Sequence, residues 1–153
     1  MEPQKEEVLF FLASMFDLVK HGKVITIDIE DIEGRPEHER ITYLLGSSTS
    51  PHTVEQVKSI IGDGSHIMVI LDSDHSKHHV LNEMRIYGEF VTKGNYLIVE
   101  DTNINHPIPS KLELGPMEAV EEFLRENDCF VVDRTKEKFF MTFNPNGYLK
   151  KVK

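Results

Sequence analysis

His66-Ile67-Met68-Val69-Ile70-Leu71-Asp72-Ser73-Asp74-His75 and, further on, Asn95-Tyr96-Leu97-Ile98-Val99-Glu100-Asp101 decide how this chain folds. Each is a short apolar run that ends in acids. Runs of this length, rich in Val, Ile and Leu, predict strands covered on both faces. Between them, Ser76 to Tyr87 has the composition and length of a helix. A strand, a helix and a second strand of this kind predict a parallel pair, and the acids mark its carboxyl end.

The same alternation extends upstream. Val8, Leu9, Leu12, Met15, Phe16 and Val19 recur at helical spacing across Glu6–Lys20, and Gly22 supplies a stop. Lys23–Asp28 reads as a β-branched strand, residues 29–40 as a charged loop with Gly34 and Pro36, and Ile41–Leu45 as a further strand running into Gly46-Ser47-Ser48. Ser50-Pro51 caps and opens a helix to about Ile61, which Gly62 ends. Downstream, Pro116 opens a helix over Met117–Asn127. Cys129–Asp133 and Phe139–Phe143 then predict an antiparallel hairpin at the sheet edge, joined through Arg134-Thr135-Lys136-Glu137. The expectation is one α/β domain spanning residues 1–153, a mainly parallel sheet with helices on both faces.

Composition narrows the function. A chain of 153 residues is long enough to bury about 70% of the surface its unfolded form exposes. Lys and Arg number 17 against 26 Asp and Glu, a net charge of −9 that opposes binding to nucleic acid or anionic membranes. No apolar run reaches the ~20 residues of a membrane span, the start lacks a secretory pattern, and the single Cys129 has no partner in the chain, so a cytoplasmic location is expected. Cys129 itself reads as inert core.

Ligands of open α/β sheets bind beyond the carboxyl ends of the strands. Asp28 and Glu30, Ser47 and Ser48, Asp72 and Asp74, and Glu100 and Asp101 all fall there. Asp72, Asp74, Glu100 and Asp101 on neighbouring strand ends would repel one another, and a hard divalent cation such as Mg²⁺ gives them a reason to coexist. Capping of the next helix accounts for Ser73 or Asp74 but not for Glu100 and Asp101. His75 stands at the crevice rim, where an imidazole can take a proton from a hydroxyl. His75 and His79 have zinc-binding spacing, yet no third nitrogen or sulfur ligand is evident beside them. Asp28 closes its strand where nucleotide-binding folds place an acid for ribose hydroxyls.

The stretches FLASMFDLVKHGKVITIDIE, GSSTSPHTVEQV, VILDSDHSKHHVLNEMRIYGEFVTKGNYLIVEDTNINHP, GPMEAVEEFL and RTKEKFFMTFNPNGYLKKVK together resemble the cephalosporin hydroxylase / rhamnosyl O-methyltransferase family. The resemblance covers nearly everything from Leu9 onward, and LDSDHS and VEDTN are its most specific blocks. It implies a Rossmann-like class I methyltransferase fold that binds S-adenosylmethionine and a divalent metal and acts on a hydroxyl of a sugar, a glycolipid or an antibiotic-like small molecule. It implies cofactor contacts at Asp28, Ser47 and Asp72, metal ligands at Asp74, Glu100 and Asp101, and His75 as the base. Asp72 has the spacing to Glu100 found in catechol-type methyltransferases and is an alternative metal ligand to Asp74.

The family carries a strand and a glycine-rich turn before its first helix, where this chain reads Glu2-Pro3-Gln4-Lys5-Glu6-Glu7. Without them the implied sheet lacks its first, central strand, and a homo-oligomer is one way to cover the resulting edge. Three functional expectations follow: metal-assisted O-methyl transfer, a truncated and non-catalytic family member that keeps fold and metal, and a glycosyltransferase using Asp72-Ser73-Asp74 as its metal-binding Asp-x-Asp.

Overall fold

The computed structural model describes residues 5–31, 33–106, 114–138 and 141–153. Two compact units divide the chain, Met1–Ile61 and Gly62–Lys153. The stretch at residues 1–4, on which part of the glycine-turn comparison falls, lies outside the described residues.

In the first unit, α1 (Lys5–Val19) precedes β1 (Val24–Asp28), β2 (Ile41–Leu45) and α2 (Pro51–Ile60). β1 and β2 pair in parallel, with Val24 opposite Ile41 and Asp28 opposite Leu45. Their connection carries no helix. Instead Tyr43 donates its hydroxyl hydrogen to Pro36 O at 2.9 Å, and the Arg35 guanidinium lies 5.2 Å from the Tyr43 ring centroid. Asp17 of α1 accepts from Arg40 Nε at 2.6 Å, fastening the helix to the entrance of β2. α2 begins as its sequence predicts: Ser50 Oγ accepts from Thr53 N at 3.1 Å, and Pro51 occupies the first turn.

The second unit holds β3 (Val69–Leu71), α3 (Lys77–Tyr87), β4 (Tyr96–Val99), α4 (Pro116–Glu126), β5 (Phe130–Val132), a 3₁₀ turn at Arg134–Lys136, and β6 (Tyr148–Lys151). Its four strands lie in the order β3-β4-β6-β5. β3 and β4 are parallel, and β6 runs antiparallel between β4 and β5.

Register and side-chain alternation put Leu71, Leu97, Val99, Leu149 and Phe130 on one face, all buried. α3 and α4 pack on this face. A methyl at Gly88, just past α3, would lie 3.2 Å from the Phe123 ring of α4 and 3.7 Å from Leu97. Phe123 in turn meets Phe130 with ring centroids 5.4 Å apart. Across the helix pair, Lys77 contacts Glu122 at 2.6 Å, and Arg85 grips the Glu126 carboxylate from two nitrogens.

Three expectations are corrected here. The final strand is Tyr148–Lys151 and not Phe139–Phe143: Met141–Phe143 is irregular, and residues 139 and 140 lie outside the described set. β3 is not covered on both faces, since Ile70 is 40% exposed and the preceding Met68 48%. Cys129 precedes β5, is only half-buried, and lines a cavity of about 450 Å³ together with Arg85, Glu89, Phe123 and Lys151.

Asp133, at the end of β5, accepts from Thr135 Oγ1 at 2.5 Å and from the Tyr96 hydroxyl at 2.6 Å. The Thr135 bond, then the Tyr96 bond, hold its carboxyl down at about 2. A group depressed in the folded state contributes stability that is complete above its unfolded value of 3.8 and is lost as pH falls through about 2. Thermal melting between pH 5 and pH 2 should therefore show a loss of stability over this window that is smaller in Asp133→Asn.

Candidate functional site

The two carboxyl strand ends of the second unit are level because the β3–β4 ladder continues one step beyond the strands: Glu100 N donates to Leu71 O at 3.0 Å. Asp72 follows β3 directly, and Asp101 lies two residues past β4. His75 reaches back from the turn before α3. Its Nε2 lies 3.3 Å from Asp101 Oδ2 and 3.7 Å from Asp72 Oδ1. One donor atom from each of Asp72, His75 and Asp101 falls within 4.8 Å of the other two. Among the described residues His75 Nε2 is buried and makes no hydrogen bond. A buried ring nitrogen without a hydrogen bond is costly unless something else occupies the site.

These donors suit a divalent cation. Donors about 2.1 Å from an octahedral ion lie about 3 Å apart when adjacent, close to the spacing seen here. The two carboxylate oxygens match Mg²⁺, Mn²⁺ or a similar hard ion better than they match a structural zinc, and the imidazole nitrogen stands beside them.

Asp101 is held in place by a loop far along the chain. Its backbone is left-handed, with φ of 55°, a conformation in which Asp, Asn and Gly are tolerated best. Its N–H donates to Asn144 Oδ1 at 2.8 Å, and the next residue, Thr102, is fully buried and donates its hydroxyl hydrogen to Pro145 O at 2.6 Å. The turn making these contacts closes through Gly147 N to Asn144 O at 2.9 Å, and Gly147 O accepts from Val99 N at 2.9 Å. No side chain fits at 147, because a Cβ would come within 2.2 Å of Val99 O. Asn144-Pro145-Asn146-Gly147 is an evident turn in the sequence. Nothing in the sequence ties it to Asp101.

The other expected site residues are distributed as follows. Asp74 closes the turn before α3: its Oδ1 accepts from the N–H of Ser76, the N-cap residue, at 2.7 Å, and hydrogen bonds from Ser76 hold its carboxyl below the usual value. Glu100 adjoins Asp101 in the chain without joining the three-residue cluster. His79 faces Glu83 at 3.4 Å, so it does not pair with His75 in the manner of a zinc site. In the first unit Asp28 is the last residue of β1, and Ser47 lies two residues past the neighbouring β2. Asp28 Oδ1 accepts from Glu30 N at 3.0 Å, Asp28 O from Gly46 N at 2.8 Å, and Ser47 Oγ lies 3.2 Å from Thr49 Oγ1.

Beyond the cluster, His106 Nε2 lies 2.9 Å from Glu118 Oε1, and Glu118 also accepts from Gly115 N at 2.7 Å, tying the end of the loop to α4. Desolvation pushes the Glu118 carboxyl up, but the bonds from Gly115 and His106 outweigh it and leave it lowered. Residues 107–113 of the same loop lie outside the described set. The 450 Å³ cavity shares no residue with Asp72, His75 and Asp101.

The fold and site define a mixed α/β protein with an acid-and-histidine cluster at the ends of two parallel strands. Residues 7–152 match the family model described as Rhamnosyl O-methyltransferase/CmcI, and the chain belongs to that family. It is similar to proteins named rhamnosyl O-methyltransferase from Mycobacterium leprae (strain TN), 36% identical over 147 residues, and from Mycobacterium bovis (strain BCG / Pasteur 1173P2) and Mycobacterium tuberculosis (strain ATCC 25618 / H37Rv), each 36% identical over 148 residues. Each alignment covers 92% of this chain, and 64%, 60% and 60% of the respective relatives, so the chain spans about three fifths of their length. No solved structure gives a significant match.

Removing the Asn144 side chain should leave the Asp101 N–H without its acceptor while sparing the core. Asn144→Ala is expected to cost about 1 kcal/mol in chemical denaturation. It should also weaken Mn²⁺ binding, measured by electron paramagnetic resonance, by more than that stability loss alone would account for.

Proposed function

We propose that the chain is an S-adenosylmethionine-dependent, divalent-metal-assisted O-methyltransferase acting on a hydroxyl of a sugar, a glycolipid or an antibiotic-like small molecule. Family membership and the printed names of the relatives support the reaction class. The observation that carries the reading for this chain is the convergence of Asp72, His75 and Asp101 around a buried imidazole nitrogen that has no hydrogen bond.

Asp72 and Asp101 would hold the cation, with Glu100 and Asp74 beside them on the same two strand ends. Asp28 would accept from the ribose hydroxyls of the cofactor, and Ser47 would contact its adenine side. When bound, S-adenosylmethionine supplies an electrophilic methyl group and the cation acidifies the acceptor hydroxyl. His75 Nε2 takes the hydroxyl proton, and the imidazolium that results lies between two carboxylates that stabilise its charge. Transfer would form the new carbon–oxygen bond as the methyl–sulfur bond of the cofactor breaks, so that the methyl ether and S-adenosylhomocysteine leave, and His75 passes its proton to solvent. The acidic clustering suits a cationic sulfonium cofactor as well as a metal.

The glycosyltransferase reading draws less support, because Asp74, the second acid of Asp-x-Asp, is engaged by the Ser76 N–H in the turn before α3. Among the described residues no helix is long and apolar enough to cross a membrane.

The test is calorimetric titration of S-adenosylmethionine into the folded chain with and without Mg²⁺. Binding that strengthens with Mg²⁺ and is lost in Asp101→Asn supports the proposal. Binding of a nucleotide sugar with none of S-adenosylmethionine would overturn it. A second variant separates the roles within the cluster. His75→Gln should keep Mn²⁺ binding and lose methyl transfer to a rhamnose-containing acceptor, whereas loss of Mn²⁺ would place His75 among the ligands.

A further inference from the structure

Glu83 stands out as a buried carboxylate with no part in the chemistry above. It belongs to α3, on the face turned into the protein, and its side chain is only 3% exposed. A charge so deeply placed is costly unless it is paired and hydrogen-bonded. Its partners are specific. Ser73 Oγ donates to Glu83 Oε2 at 2.6 Å, and His79 Nε2, one helical turn earlier, lies 3.4 Å from Oε1. Burial, and then the charge of Glu83, push the Tyr87 hydroxyl up to about 12, so that phenol stays protonated beside it.

Ser73 sits between Asp72 and Asp74, in the turn that aims Asp72 and His75 at Asp101. That turn is tied at two points. Asp74 anchors its far side by accepting from Ser76 N, and Ser73 anchors its near side on Glu83. Asp72 lies one residue before the Ser73 tie, and His75 lies between Asp74 and its partner Ser76. The Asp72 and His75 backbone is thereby fastened to α3, whose buried face is fixed by Val80, Leu81 and Met84 in the core. A short hydroxyl-to-carboxylate bond is among the stronger hydrogen bonds available, and a buried one is shielded from competing water.

We infer that Glu83 is a positioning residue: through Ser73 it holds the strand-end turn in the shape that lets Asp72 meet Asp101 at a divalent cation and keeps the His75 imidazole beside them. The inference rests on the metal reading of that cluster. Partners one step behind the ligands commonly set metal affinity by 10–100-fold, because they fix ligand orientation before the ion arrives.

The test measures Mn²⁺ binding to the full chain by electron paramagnetic resonance, for the wild type, Ser73→Ala, Glu83→Gln and the double variant. Circular dichroism and thermal melting of each sample establish that it is folded. Each single change should raise the Mn²⁺ dissociation constant about tenfold or more. The double variant should bind no more weakly than the poorer single, since both changes break one link. Ser73→Thr, which keeps the hydroxyl, should restore binding; a general loss of stability would give no such rescue. Equal affinity in the wild type and a folded Ser73→Ala would overturn the positioning role and leave the metal reading standing. No Mn²⁺ binding by folded wild type would overturn the metal reading itself, and the positioning role with it.

Discussion

β6 runs antiparallel between β4 and β5, and the hydrogen bonds it makes there determine what the acidic end of the second unit looks like. Leu97 and Leu149 face each other across the β4–β6 pair, both completely buried, which locks the register of two strands from distant parts of the chain. Once the register is set, Gly147 must lie against Val99, and the turn before it must reach Asp101 and Thr102. The side of β4 facing β3 then levels Asp101 with Asp72. The cluster is therefore a product of sheet pairing as much as of the residues composing it.

Much of this was legible in the sequence. Periodicity located α1, composition and length located α3, and Pro51 and Pro116 marked where α2 and α4 begin, each to within a residue or two. The acids after Leu71 and Val99 marked the strand ends for the same reason: a strand stops where its residues no longer profit from burial. The last strand was misplaced because Phe139-Phe140-Met141-Thr142-Phe143 has stronger β character than Tyr148-Leu149-Lys150-Lys151. In the folded chain β6 needs only Leu149 for the core, while Lys151 holds its ammonium over the Phe130 ring and donates to Gly88 O. Tertiary pairing outweighed local propensity.

The site was legible as a set of candidates and not as an arrangement. Asp72 and Asp74 sit two residues apart in a turn, and which of them faces Asp101 depends on the side-chain bond each makes. The Ser76 N–H claims Asp74. His75 was picked out by its place at the strand end, and its convergence with two carboxylates follows from a turn whose shape the sequence does not spell out. Asn144 lies some forty residues from Asp101, and only the β4–β6 register connects them.

The left-handed backbone at Asp101 has a consequence for how this site can change over time. Few residue types sit comfortably at φ of 55°, and of the short ones that do, Gly, Asn and Asp, only aspartate carries a charge. Drift at this position is channelled: glutamate would keep the charge but fit the backbone less well, whereas asparagine would keep the turn and discard the charge in a single step. Ancestry written in the surrounding strands can thus outlast the charge at their ends, which a single substitution at Asp101 removes without disturbing the fold.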